Sequence, residues 1–196
     1  MPLFSIGYAT KAIDVLVEQL QQHEVHAVAD IRSVPYSKTF PEYHREALQA
    51  TLKKAGIQYV YLGQELGPRS EDPAHYDESG QVQFDRLMRS DNFLHGIERL
   101  KTGLAKDMNI ALLCAEKDPA ICHRSLLVGH YLQSQGLELH HITHDGQVES
   151  HGKLEQRLVE IQGLEADLLT EPESLKELAF KAQVKSCAYR KDLGKN

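Results

Sequence analysis

The chain has 196 residues, 41% of them hydrophobic and 26% charged, with no tryptophan. No apolar stretch approaches the ~18 residues that a membrane-spanning helix needs. A formal net charge of −6 opposes non-specific nucleic-acid binding, which rests on neutralising phosphates. The numbers argue against a membrane protein and a broadly basic binder, and suit one α/β domain with a short appendage.

The opening MPLFSIGYAT has no basic segment followed by an apolar one and runs straight into strand-like residues, so a cytoplasmic protein is expected. Three cysteines make an odd set and point to reduced thiols rather than a disulfide framework. Leu3 to Tyr8 reads as a first strand, and Ala12, Ile13, Leu16, Val17 and Leu20 recur at helical spacing behind it. His26 to Ser33 reads as a second strand. Pro35 and Pro41 mark a loop before a helix around Glu42 to Ala55, which Gly56 stops.

IQYVYLG, rich in β-branched and aromatic residues, is a third strand, and the long polar QELGPRSEDPAHYDESG reads as a loop. A helix is expected over about Phe84 to Lys106, a fourth strand in NIALLCA, a helix in PAICHRSLLVGHYLQSQG and a fifth strand in LELHHI. Strands alternating with helices imply a three-layer α/β fold: a mainly parallel five-stranded sheet with helices on both faces, plus a helical C-terminal extension. The expected division is an α/β domain over 1–150 and a helical extension or tail over 151–196. No GxGxxG, phosphate-loop or HExxH motif is present, so no cofactor is expected.

In an open α/β sheet, ligands bind beyond the carboxyl ends of the strands. There the sequence places Tyr8 after strand one, Asp30 and Arg32 after strand two, Glu65 after strand three, and Cys114 and Glu116 after strand four. Asp118 and Pro119 fit a helix N-cap and first turn, which would set Cys122 near the positive end of a helix dipole with Arg124 and His123 beside it. A thiol so placed is a candidate nucleophile, with Glu116 or Asp30 as general base; the alternative is a small apolar residue facing the sheet. Arg32 and Arg124 suit anion binding, with Ser37 in the RSVPYSK loop as a further donor; the alternative is ion pairing with Asp30, Glu65 or Glu116. Cys114, Cys122 and His123 make an incomplete zinc or iron set that a distant histidine would have to finish, and no Cys-x-x-Cys supports it. A reversible Cys114–Cys122 disulfide is a further alternative.

IGY, DIRSVPYSKTF, QELG and CAEKDPAICHRSLL, in that order, resemble the family catalogued as domain of unknown function 488, over about Phe4 to Ile142. The most specific part is Cys114, Ala115 and Glu116, then Pro119, then Cys122, His123 and Arg124. Tyr8 and Ala9 stand where members often have histidine and serine, and Lys38 where arginine is expected, so a hydroxyl role for the first loop and a forked phosphate contact at Lys38 are weakened. The resemblance implies the fold and the place of the site but no reaction.

The leading expectation is an enzyme or binding protein for an anionic, phosphate-bearing ligand derived from a nucleotide or nucleic acid. If it is an enzyme, a hydrolase or transferase with a cysteine nucleophile or acid/base pair is expected. The alternative is a metal- or redox-sensing cysteine module acting through a partner or nucleic acid. Binding of nucleic acid through the basic C-terminal stretch is the least favoured, given the acidic balance.

Overall fold

A computed structural model describes residues 2–165 and 171–192. Six strands form one sheet: β1 (Leu3–Gly7), β2 (Ala27–Asp30), β3 (Gln58–Tyr61), β4 (Ile110–Cys114), β5 (Leu139–Ile142) and β6 (Val148–Ser150), in the order β3-β2-β4-β1-β5-β6. The first five are parallel, and β6 returns antiparallel to β5. Five strands were expected. The sixth, Val148-Glu149-Ser150, is too short to show an apolar alternation; its one sequence signal was the Asp145-Gly146 turn, where Gly146 has φ 87°.

The central strands β1, β2 and β4 are buried on both faces, as parallel sheets require, while the edge strands β3 and β6 are partly exposed. Leu3 of β1, Ala27 and Ala29 of β2, and Ile110 and Leu112 of β4 point to one face; Phe4, Ile6, Val28, Ala111 and Leu113 point to the other. Helices α1 (Ile13–Gln22) and α2 (Arg45–Lys54) cover the second face through Leu16, Leu20, Leu48 and Leu52.

The helix expected over Phe84 to Lys106 is divided in two. One-turn α3 (Gly63–Leu66) already interrupts the long polar loop, α4 (Phe84–Leu87) is a second single turn, and α5 (Asp91–Leu104) starts afresh where Ser90 Oγ accepts from Phe93 N at 3.3 Å. The expected helix after β4 is also divided. Pro119–Ile121 is a single tight turn, Cys122 is extended, and a wide π-type helix over Arg124–Gly129 runs into α6 (His130–Ser134).

The segment after β6 forms α7 (His151–Ile161) and α8 (Pro172–Cys187). Leu154 and Leu158 of α7 and Ala179 of α8 join the same core as Phe93, Ile97 and Leu100 of α5. The C-terminal stretch is docked as far as it is described: Val82 N donates to Tyr189 O at 2.9 Å and Lys191 N to Gly80 O at 2.8 Å. No helix among the described residues is long and apolar enough to cross a membrane.

Strands β1 and β4 lie side by side, with Gly7 level with Cys114. From β1 the chain leaves for the α1 face; from β4 it leaves for the opposite face, where Leu126, Leu127 and Val128 pack. The two loops stay joined at the carboxyl ends of the strands, where Tyr8 N donates to Cys114 O at 3.2 Å and Ala9 N to Ala115 O at 2.8 Å, and it is at such a divergence that ligands of open α/β sheets bind.

Candidate functional site

Cys114 closes β4, Glu116 follows two residues on, and the Pro119–Ile121 turn folds the chain back so that Cys122 and His123 meet them. Asp118 holds that turn: its carboxylate accepts from Ala120 N at 2.9 Å and pairs with Arg157 of α7 at 2.9 Å. Both thiols donate to Glu116 Oε2, Cys114 at 2.7 Å and Cys122 at 3.1 Å. His123 Nδ1 lies 3.5 Å from Cys114 Sγ and 3.9 Å from Cys122 Sγ. The four donor atoms all fall within 4.8 Å of one another. His123 Nε2 donates to Ile31 O at 2.9 Å, and a carbonyl only accepts, so the proton on Nε2 leaves the Nδ1 lone pair facing the sulfurs.

The cluster's electrostatics differ from the activated thiolate expected from sequence. Cys122 is 1% exposed, and burial, followed by its contact with Cys114, pushes its thiol well above the usual range despite the nearby Arg124 and His123. Cys122 precedes the helix rather than sitting in its first turn, and its sulfur accepts from Arg124 N at 3.4 Å. Burial raises the Glu116 carboxyl, but hydrogen bonds from Cys114 and Cys122 outweigh it and hold the group below its ordinary value. Burial likewise works against a charged His123, and the contacts with Cys122 and Glu116 carry it above its ordinary value.

Arg124 is wholly buried beside this cluster. Nη1 donates to Glu116 O at 2.6 Å and Nη2 to Lys117 O at 3.1 Å, while Nε has no partner among the described residues. Its guanidinium lies over Gly7, where an added Cβ would come within 2.7 Å of Nη1.

Asp30, Arg32 and Tyr8 form a second cluster, joined to the first through Ile31. Arg32 spends its fork on Asp30, with Nε–Oδ1 at 2.8 Å and Nη2–Oδ2 at 2.6 Å, and gives Nη1 to Tyr43 O at 2.9 Å. Tyr59 also donates to Asp30, at 2.7 Å. The Arg32 guanidinium sits 5.1 Å from the centre of the buried Tyr8 ring, which stacks on Tyr43 at 4.1 Å. Arg32 is therefore an ion-paired residue rather than a free anion binder, and Asp30 is not a free base, because each saturates the other. Ser37 and Glu65 stand apart: Ser37 Oγ accepts from Phe40 N at 3.1 Å to shape its own loop, and Glu65 pairs with Arg99. His44 and His75 are likewise engaged locally, with Ser37 O and Ser70 Oγ.

Sequence reading passed over Lys11, Thr10 and Lys117. Lys11 is 3% exposed, its ammonium donating to Gln19 Oε1 and, at 3.4 Å, to Thr143 O; burial, then repulsion from Arg124, lowers its pKa to about 8. Above it, exposed Thr10 has φ 62°, rare for a β-branched residue, and places Oγ1 3.1 Å from His144 Nε2. Burial, then Lys117 and Lys11, lowers the His144 pKa. The available signal was position alone, since Lys11, Thr10 and Lys117 all lie just beyond strand ends.

No curated protein and no solved structure matches this chain. A family profile described as domain of unknown function DUF488 matches residues 12–131, more than half of its length. That match places the chain: it belongs to the DUF488 family.

Proposed function

We propose that the protein binds an anionic, phosphate-bearing ligand at the rim formed by the loops after β1, β4 and β5. The observation that carries the reading is the pair Lys11 and Arg124: two buried cations close enough to repel, hydrogen-bonded to neutral oxygens rather than carboxylates. Buried charges are ordinarily paired in direct contact; neither cation here hydrogen-bonds a carboxylate, Asp145 and Asp118 acting only through their fields, and a bound anion would complete the pairing. Exposed Lys117 adds a third positive charge at the rim, with Thr10 and His144 as donors, while exposed Asp145 is the acid that acts on Lys11. Helix α1 begins directly after Lys11, and Ala12 gives it no side-chain cap, so its first amides face the same rim. In a protein of net charge −6 this is a local reversal of sign. The ligand class is a nucleotide or a nucleic-acid fragment, whose phosphate suits such a rim.

Binding of inorganic phosphate and of nucleoside monophosphates, measured by calorimetry at fixed ionic strength, tests the reading. Saturable binding should weaken by about tenfold or more in Lys117→Ala and in His144→Ala, since a charge-assisted hydrogen bond contributes about 1.5–3 kcal/mol. Absence of saturable binding, or equal binding by both variants, would overturn it.

A further inference from the structure

We propose that Cys114, Glu116, Cys122 and His123 form a tetrahedral site for a zinc-class divalent cation. The reading does not depend on the anion proposal: its four donors are not among the anion-binding side chains, only Arg124 borders both, and it is read on the metal itself.

The donor set is the first ground. Two sulfurs, one imidazole nitrogen and one carboxylate oxygen suit a borderline-soft cation of the zinc class rather than magnesium or calcium, which take oxygen. Around a tetrahedral zinc with bonds of about 2.0–2.3 Å, donors stand roughly 3.3–3.8 Å apart. The sulfur–nitrogen distances here are 3.5 and 3.9 Å, and no donor pair exceeds 4.8 Å. Contraction by about 1 Å at the widest pair, and widening of the two sulfur–Glu116 contacts from 2.7 and 3.1 Å as the thiol hydrogens leave, converts the cluster into a coordination shell.

The second ground is how the histidine is held. Ligating histidines usually give their other ring N–H to a carbonyl or carboxylate, which fixes tautomer and orientation, and His123 Nε2 does so on Ile31 O at 2.9 Å. No terminal ligand is left to chance, because Cys114 belongs to β4 and Cys122 is held by the Asp118-capped turn.

Charge is the third. A dication with two thiolates and one carboxylate carries a single net negative charge, and the wholly buried Arg124 lies against it, its backbone N–H already on Cys122 Sγ at 3.4 Å. Metal binding exchanges the two thiol protons for the two charges of the cation, so the cluster keeps the single negative charge that the Glu116 carboxylate already gives it beside the guanidinium. Glu116 is the ligand with the greatest exposure and so marks the route by which the cation enters.

The test is Co2+ and Zn2+ titration of the reduced full chain, with circular dichroism to confirm folding. The expected result is one cobalt per chain, with thiolate-to-cobalt charge transfer in the near ultraviolet, tetrahedral ligand-field bands in the visible, and displacement by zinc. Cys114→Ser and Cys122→Ser should abolish the charge-transfer band, while Cys187→Ser should leave it intact. Should the cysteine variants fail to fold, near-isosteric Glu116→Gln decides: it should keep the band and weaken affinity by about tenfold or more. The proposal is overturned if the folded wild type takes up no stoichiometric metal, or if uptake survives loss of both cysteines and so belongs to surface histidines. A reversible Cys114–Cys122 disulfide that forms with no metal uptake in the reduced state would also overturn it, in favour of a redox switch.

Discussion

Single residues in this protein show how burial decides chemistry that composition leaves open. Cys122, Arg32 and Asp30 have the right types for a nucleophile, an anion binder and a base, yet a buried neutral thiol and a saturated ion pair are what their surroundings allow. The histidine column through the core makes a measurable case of the same effect. Ser5 Oγ contacts His141 Nδ1 at 2.7 Å, and His141 Nε2 contacts His151 Nδ1 at 3.0 Å. Burial, then His130, lowers His151 to about 4, and burial, His151 and the cations Arg124 and Arg157 lower His141 as well. The unfolded chain binds these protons first, so their contribution is complete above about pH 6.5 and is lost as pH falls toward 4. For His151 alone the loss should reach about 2 kcal/mol by pH 5. Urea midpoints at pH 7.5 and pH 5 should therefore separate more in the wild type than in His151→Gln; equal separations would contradict the burial.

At the scale of elements, the loops after β1 and β4 are built as one unit. A Cβ at Gly7 would lie 1.9 Å from Glu116 O and 2.7 Å from Arg124 Nη1, and the first of these is backbone that cannot swing aside. Gly7→Ala should cost about 3 kcal/mol, by forcing the β4 loop away and loosening the Cys114–Glu116 turn. An unchanged urea midpoint would mean that the two loops are not mechanically joined. Most elements were legible from residue pattern: four strands and the cores of α1, α2 and α5 follow from apolar spacing, and β5 from its apolar ends. The breaks were not. Ser90 restarting a helix, the extended Cys122 and the wide turn over Arg124–Gly129 depend on hydrogen bonds that periodicity does not encode.

Across the whole molecule, α8 ties distant segments together. Gln183 Nε2 donates to Ala120 O at 2.7 Å, in the turn that positions Cys122, and Gln81 donates to Lys185 O at 2.9 Å. Leu175 and Ala179 are buried on the same helix. We expect the chain to unfold in one cooperative transition, and a version ending at residue 165 to lose at least about 3 kcal/mol, the burial of a leucine side chain plus the apolar surface it uncovers. Two separate transitions in the full chain, or a shortened chain of unchanged stability, would show instead that 151–196 is an independent appendage.

Residue order alone determined the parallel α/β architecture and the family. Alternation and helical spacing record which side of each element is buried, and the Cys-Ala-Glu and Cys-His-Arg segments are contiguous. Only the tertiary structure decided which side chains share a site. It joined Glu116 to the sulfurs and His123, paired Arg32 with Asp30, and brought Lys11 and His144 from loops far apart in sequence to the same rim. Such partnerships depend on crossover direction and on competition for buried hydrogen bonds, and neither is a property of any local stretch of chain.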